Sequence, residues 1–405
     1  MAHRYGVVMT NGDKGTTGRL SWPVTVILGL VPVAAFGTWF YGFGVLLTPI
    51  VSDTGWQEAS LSSAYGASSL LGGILGVLAG RISEKWGTPI VFAFTGVVSI
   101  VGSWLVASTT SEFRFSVGVA LVAGVVAAAG YYSLVHSSIA RIIPDDRRRA
   151  ITINTFFGAF ASVIFLPAIA WLIGEMGWRD TMRVTGIVTG MVFILAAILI
   201  TDRGNETDAS TPRFGRILLD SFKEARLRRL LFAGVCGAFA MSVLVLYQVP
   251  AMVDDGLALA TASAFAGARG FLQLGGRIPI PWLGRTIGDS QTMRLSLVGV
   301  ALSLVMLPQA GTIGIAVMFI VVAGFAIGAY STIENIVGSG LVDSLRVGTF
   351  LGMYALVRGI GFSVGPTISG VVTDITESRT PALLVAAGFA VVAVVLIPTD
   401  ARETS

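Results

Sequence analysis

Three observations predict an all-α membrane protein of twelve transmembrane helices in two six-helix halves. The first is length. A hydrocarbon core about 30 Å thick needs roughly twenty apolar residues of helix to cross it, at about 1.5 Å per residue, and this chain supplies about a dozen such runs almost end to end. The second is composition. Hydrophobic residues make up 54% and charged residues 12% of the chain, and the mean hydropathy is +0.80; a soluble surface needs roughly a quarter charged residues. The third is a charged stretch, Thr201 to Arg229, that parts the runs into two sets of six.

The spans expected in the first half (1–200) are Leu20–Val51, Ser60–Gly80, Thr88–Thr109, Phe115–Ala140, Ala150–Gly174 and Met182–Ile200. A linker at 201–229 leads to the second half (230–405), with spans Leu230–Val253, Leu259–Leu283, Met293–Gln309, Thr312–Val342, Val347–Thr373 and Pro381–Pro398. The first run lacks the short apolar core and cleavage site of a secretory signal, so nothing is expected to be removed. The one cysteine, Cys236, lies in an apolar run and is read as packing.

Basic residues fall in alternate loops, and cytoplasmic loops carry that excess. Arg4, Lys14 and Arg19, then Arg81 and Lys85, then Arg141 and Arg147 to Arg149 mark one side, joined by seven bases between Arg203 and Arg229. The opposite loops Ser52–Ala59 and Asp254–Ala258 carry only acids. Both termini and the central stretch are therefore expected in the cytoplasm, in a cell membrane crossed many times. The basic segment Arg213–Arg229 reads equally as an amphipathic helix on anionic headgroups or as a solvated linker. The pI near 9.4 does not imply nucleic acid, because the bases form no single patch with interleaved aromatics.

An internal repeat supports the two halves. Gly80 to Gly87 (Gly-Arg-Ile-Ser-Glu-Lys-Trp-Gly) ends the second span, and Pro281 to Gly288 ends the eighth about 200 residues later; Pro167 and Pro366 share that offset. Two halves related in this way resemble the parallel repeat of the major facilitator fold, and the resemblance implies a substrate site between the halves near the midplane. The loop from Gly80 to Gly87 resembles that superfamily's Gly-x-x-x-Asp-Arg-x-Gly, with Glu84 and Lys85 at the acidic and basic positions. Further stretches resemble the oxalate/formate antiporter and monocarboxylate transporter branch: Tyr41 to Val45, Gly55-Trp56 with Leu61-Ser62, Gly177-Trp178-Arg179, Gly276-Arg277, and Gly352 to Arg358. The resemblance implies that Arg277, and Arg358 in place of the branch's lysine, contact a substrate carboxylate. It departs at Arg285, where an acid is usual, and at Pro279 and Pro281.

The charges support an anion site without the resemblance. An ionisable side chain at the bilayer centre costs at least about 2.5–3.5 kcal/mol on insertion scales, so it normally faces a cavity or a partner. Arg269, Arg277, Glu334 and Arg358 all fall inside spans of the second half. Three bases against one acid leave a positive field that a mobile anion would balance. Arg277 and Glu334 read either as a buried pair locking spans eight and ten or as substrate and coupling groups. Arg358, with no acid near it in sequence, is read as a substrate contact, and Arg269 as a substrate contact or a snorkelling group. Tyr41, Tyr247 and Gln248 sit where a cavity wall would. His136 reads as a coupling group or as a hydrogen-bonded helix-end histidine. Glu84 and Lys85 are assigned to gating of the cytoplasmic side.

Gly361 to Gly365 matches Gly-x-Ser-x-Gly, but it lies in an apolar helix, and only His3 and His136 are available as bases. There is no His-Glu-x-x-His, paired-cysteine or phosphate-loop motif, so no enzyme activity, metal or cofactor is expected. The expected function is secondary transport of a small organic anion, a mono- or dicarboxylate, coupled to protons or a counter-anion, by a monomer in a lipid bilayer. Efflux of hydrophobic compounds and a non-transporting sensor are the alternatives. On the topology above, a membrane-impermeant thiol reagent added to intact cells should label Ser378→Cys and miss Asp208→Cys; the reverse pattern would invert the orientation.

Overall fold

Backbone groups in hydrocarbon must satisfy one another, which leaves helix as the economical solution for apolar runs. The computed structural model describes residues 22–202, 204, 222–342 and 347–398, and among these there is helix and connecting turn but no strand. The first half comprises α1 (Trp22–Thr54), α2 (Glu58–Trp86), α3 (Thr88–Ser108), α4 (Glu112–Ile142), and one continuous helical stretch, Arg147–Leu199. Gly177, at φ 75° and ψ 170°, breaks that stretch into α5 (147–176) and α6 (178–199). The second half comprises α7 (Ala225–Asp254), α8 (Leu259–Arg277), α9 (Asp289–Gln309), α10 (Ile313–Gly340), α11 (Val347–Thr376) and α12 (Arg379–Leu396). Twelve passes result among the described residues, with α8 polar for a spanning helix because it carries Arg269, Gln273 and Arg277.

The expected spans hold with three local differences. The fourth is interrupted at Tyr131, whose ψ of 165° ends one helix and starts the next. The eighth stops at Arg277, because Pro279 has no N–H to continue the ladder, and a short helix, Ile280–Thr286, follows. The linker ends earlier than expected: α7 starts at Ala225 and takes up Arg226, Arg228 and Arg229. The amino-terminal bases and the segment 213–221 lie outside the described residues.

The repeat is visible in backbone conformation. Gly87 (φ 89°, ψ 155°) precedes α3, and Gly288 (φ 88°, ψ 156°) precedes α9. Only glycine adopts that region freely, so each half turns its second helix into its third through the same geometry. Pro167 and Pro366 both lie inside helices, α5 and α11.

A polar knot ties helix ends of the first half together. Arg141 donates from Nη2 to Asp202 Oδ2 at 2.9 Å and to Thr88 Oγ1 at 2.9 Å. Thr88 Oγ1 donates to Asp202 Oδ2 at 2.6 Å, and Thr88 N donates to the same oxygen at 3.1 Å. Burial of the Asp202 carboxyl opposes its ionisation, but the bonds from Arg141 and Thr88 outweigh burial and hold its pKa below the ordinary value. A depressed folded pKa means this stabilisation is present above the unfolded value of about 3.9 and is lost as pH falls through the folded one. Asp202→Asn should therefore destabilise the detergent-solubilised protein by about 2 kcal/mol at pH 7. Thermal unfolding should show the gap from the parent closing below about pH 4; a gap unchanged at low pH would remove the charge from the explanation.

Candidate functional site

At one end of the molecule the two halves meet backbone to backbone. A Cβ added at Gly66 of α2 would strike the Ser363 carbonyl oxygen of α11, and one at Gly370 would come within 2.7 Å of Ala59 Cα. Gly44 of α1 lies against the Leu246 carbonyl of α7, and Gly267 of α8 against the Ser162 carbonyl of α5. Towards the other end the same helix faces part. Gly73 and Gly80 follow Gly66 at seven-residue intervals, so they share its face, and nothing lies within 4 Å of a Cβ built there. Gly359 and Gly352 of α11 are equally open. The molecule is closed at the end formed by the 55–57, 255–258 and 377–378 turns and open at the end that carries Arg81, Lys85 and Arg141.

Ion pairs lock the closed end. Arg379 donates from Nη2 to Glu58 Oε2 at 2.6 Å and from Nε to Glu58 Oε1 at 3.0 Å. Its Nη1 donates to both Asp254 oxygens at 2.6 Å. Asp374 of the second half accepts from the Glu58 and Ala59 amides at 3.1 and 2.9 Å, capping the first turn of α2 in the first half. Bidentate pairing of this kind is shorter and stronger than neutral hydrogen bonding. Tyr247 belongs here and not to the central cavity: its hydroxyl lies 3.2 Å from Ser62 Oγ, and Arg379 sits 6.0 Å from its ring. The assignment of Tyr247 to a cavity wall is corrected accordingly, because about six turns of α7 carry it up to the seal.

Below the seal, α1 changes pitch. Phe36–Tyr41 forms a π-helical turn, and such one-residue insertions re-aim side chains. Phe36 stacks on Tyr131 at 4.1 Å between centroids, Phe40 stands edge-on to Tyr41 at 4.9 Å, and Phe40 reaches Phe362 of the second half at 6.2 Å. Tyr65 donates its hydroxyl to the Phe40 carbonyl at 2.9 Å. The break in α4 is what presents Tyr131. Only the aromatic residues were visible in the sequence; the extra residue in the turn carried no signal.

The second half supplies the charges. Arg269 is fully buried. Its Nε donates to Gln248 Oε1 at 2.6 Å, the centre of the Tyr41 ring lies 6.0 Å from its guanidinium carbon with the Tyr41 hydroxyl as a second neutral partner, and no carboxylate pairs with it among the described residues. Gln248 thus holds Arg269 in place. Arg277 lines a cavity of about 80 Å³ with Phe36, Tyr41, Tyr132, Gly158 and Gln273, and its Nε also has no protein partner.

Arg358 is different. Its Nη1 lies 2.6 Å from Glu334 Oε1, and Tyr330, Tyr354 and Phe362 ring it at 5.6–5.8 Å. Arg358, read from the sequence as having no acid near it, does have one beside it, and of the two alternatives for Arg277 and Glu334 the buried pair is not formed, because Glu334 meets Arg358. Spans ten and eleven are neighbours in the chain, and Tyr330 and Tyr354 flank the pair while lying against Gly237 and Gly234 of α7. His136 meets Asn154 Oδ1 at 3.1 Å and stacks on Tyr132, the helix-end arrangement. Glu84 and Lys85 are exposed; Lys85 rests on Trp86, and no ion pair joins either to the second half among the described residues. The Gly177-Trp178-Arg179 motif is structural: Trp178 donates to Asp53 at 2.9 Å, and Arg179 lies over its ring.

Two helical halves, sealed at one end around a buried cationic centre, define a membrane transporter. The profile of the Major Facilitator Superfamily matches residues 28–366, and the chain belongs to that family. It is 23% identical over 390 residues to rat monocarboxylate transporter 13, covering 94% of this chain and 89% of the relative. It is 25% identical over 362 residues to mouse monocarboxylate transporter 11, covering 83% and 76%. It is also 24% identical over 375 residues to the multidrug resistance protein MdtL of Klebsiella pneumoniae, covering 88% and 91%. Among solved structures, the nucleoside transporter NupG superposes with a TM-score of 0.75 at 16% identity, covering 92% of this chain and 98% of that one.

If the ion pairs hold the seal, Glu58→Gln should loosen it. Loss of a charge-assisted bond worth about 1.5–3 kcal/mol should raise the thiol-labelling rate of Ser62→Cys, in a Cys236→Ser background, about tenfold or more. An unchanged rate would leave the glycine contacts as the sole seal.

Proposed function

We propose that the protein carries small organic anions bearing a carboxylate across the membrane by alternating access. The observation that supports this most is Arg269, a fully buried guanidinium in α8 whose partners, Gln248 and Tyr41, are both neutral, with no carboxylate beside it. An isolated cation there is expensive, and a carboxylate fits its planar fork with two parallel hydrogen bonds. Arg277, one cavity nearer the open end, is the second ligand, with Tyr41 beside both and Gln248 as positioning group. The relatives named monocarboxylate transporters agree with that substrate class.

In this reading the Glu334–Arg358 pair is the coupling element. A proton or an exchanged anion alters its charge, and Arg358 gains a competing partner when substrate is near. Glu84, Lys85 and His136 act, if at all, when the open end closes. Both termini and the 201–229 linker face the cytoplasm of a plasma-membrane monomer, with halves 1–200 and 230–405 rocking about the cavity.

The aromatic wall formed by Phe36, Phe40, Tyr41 and Tyr131, together with the relative named a multidrug resistance protein, supports a second reading: efflux of apolar compounds. Binding to the purified protein separates the two. Across acetate, lactate, oxalate and benzoate, Arg269→Gln should weaken the tightest anion roughly ten- to a hundredfold, and Arg269→Lys should weaken it less. Parent-like anion binding by Arg269→Gln with loss in Arg358→Gln would move the site to α11. Binding of apolar cations alone would favour efflux.

A further inference from the structure

The closed end is not merely shut; it is acidic. A cavity of about 530 Å³ opens above the seal, lined by Glu58, Asp254, Asp255, Asp374 and Glu377 with one base, Arg379. Arg379 compensates a single carboxylate charge in total, although it bonds to two. Asp374 is spent on backbone amides, and Asp255 on the amide of Gly311, neither of which brings a formal charge. Four uncompensated negative charges therefore surround the passage out of the central site. The open end has the opposite character: Arg81, Lys85 and Arg147 to Arg149 are exposed there, and Arg277 is the cation that the inner cavity presents.

A mouth lined by one sign of charge focuses its field and changes how often a charged solute arrives. An anion approaching the basic mouth moves down in potential to Arg277 and then to Arg269. An anion approaching the acidic mouth moves up. We propose that the carrier is asymmetric: it captures its anion at the basic mouth and discharges it through the acidic one, with Asp255 and Glu377 as specificity-determining residues that disfavour recapture. The inference rests on the anion reading above. Net flux still follows the gradients; the field sets arrival rate and half-saturation on each side.

Asp255 and Glu377 are the residues to test, because neither takes part in the Arg379 lock. Asp255→Asn keeps an oxygen for Gly311. The double variant Asp255→Asn/Glu377→Gln and the parent are reconstituted, with sidedness fixed by labelling Ser378→Cys in a Cys236→Ser background. Saturable flux of acetate, lactate, oxalate and benzoate is then measured from each face. The parent should show the higher KM at the acidic mouth. The double variant should lower that KM about threefold in 10 mM salt and less than about 1.5-fold in 0.5 M salt, as expected for two mouth-lining charges under screening. KM at the basic mouth should not move. Equal KM at both faces of the parent, or an acidic-mouth KM insensitive to both charge and salt, overturns the asymmetry while leaving anion transport standing. No saturable flux of any of the four anions overturns both.

Discussion

Hydrocarbon cannot solvate a charge, and that constraint organises the centre of this protein. Of the three arginines and one glutamate inside the spans of the second half, Glu334 neutralises Arg358 at 2.6 Å, and two cations are left. Gln248 supplies Arg269 with one neutral acceptor, which orients the guanidinium without discharging it. Removing one partner of a buried ion pair leaves an uncompensated charge and is costly, so Glu334 and Arg358 stay together unless a proton or a competing anion compensates one of them. The unmatched cations in α8 are the part of the site that a solute completes.

The two halves divide the labour. The first contributes rings: Phe36, Phe40, Tyr41, Tyr65 and Tyr131 cluster around the π-turn of α1. The second contributes every intramembrane charge discussed above. A solute at the interface therefore meets an aromatic surface on one side and guanidinium donors on the other, an arrangement suited to a molecule with an apolar body and one anionic head. The same division explains why the repeat, plain in the Gly87 and Gly288 turns, does not extend to the cavity walls.

Much of the fold was legible in the sequence, because length and hydropathy are local properties. The spans and the repeat at Gly87 and Gly288 could be read without any contact. Pairing could not. Glu58, Asp254, Asp374 and Arg379 sit in three different turns, each of which reads as an ordinary wet loop, and only the packing of α2 on α11 brings them to one point. Glu334 had two arginines at plausible depth, and only the packing of the helices shows that Arg358 is the one it meets. Asp202 was read as linker, though it fastens the ends of α3 and α4. The π-turn was invisible because an inserted residue alters phase without altering composition.

The glycines at 44, 66, 267 and 370 bear on how fast such a molecule can turn over. Ordinary helix packing interlocks ridges and grooves, and sliding one helix on another means lifting side chains out of their slots. Here the contacting surfaces at the seal are bare backbone, with few teeth to disengage. Friction between the halves is then low, and the activation barrier for reversing the open face is concentrated in a handful of ionic contacts at Arg379. A transporter built this way resembles a smooth bearing held by a catch: its cycling rate responds steeply to salt and charge at one point and only weakly to the bulk of the interface.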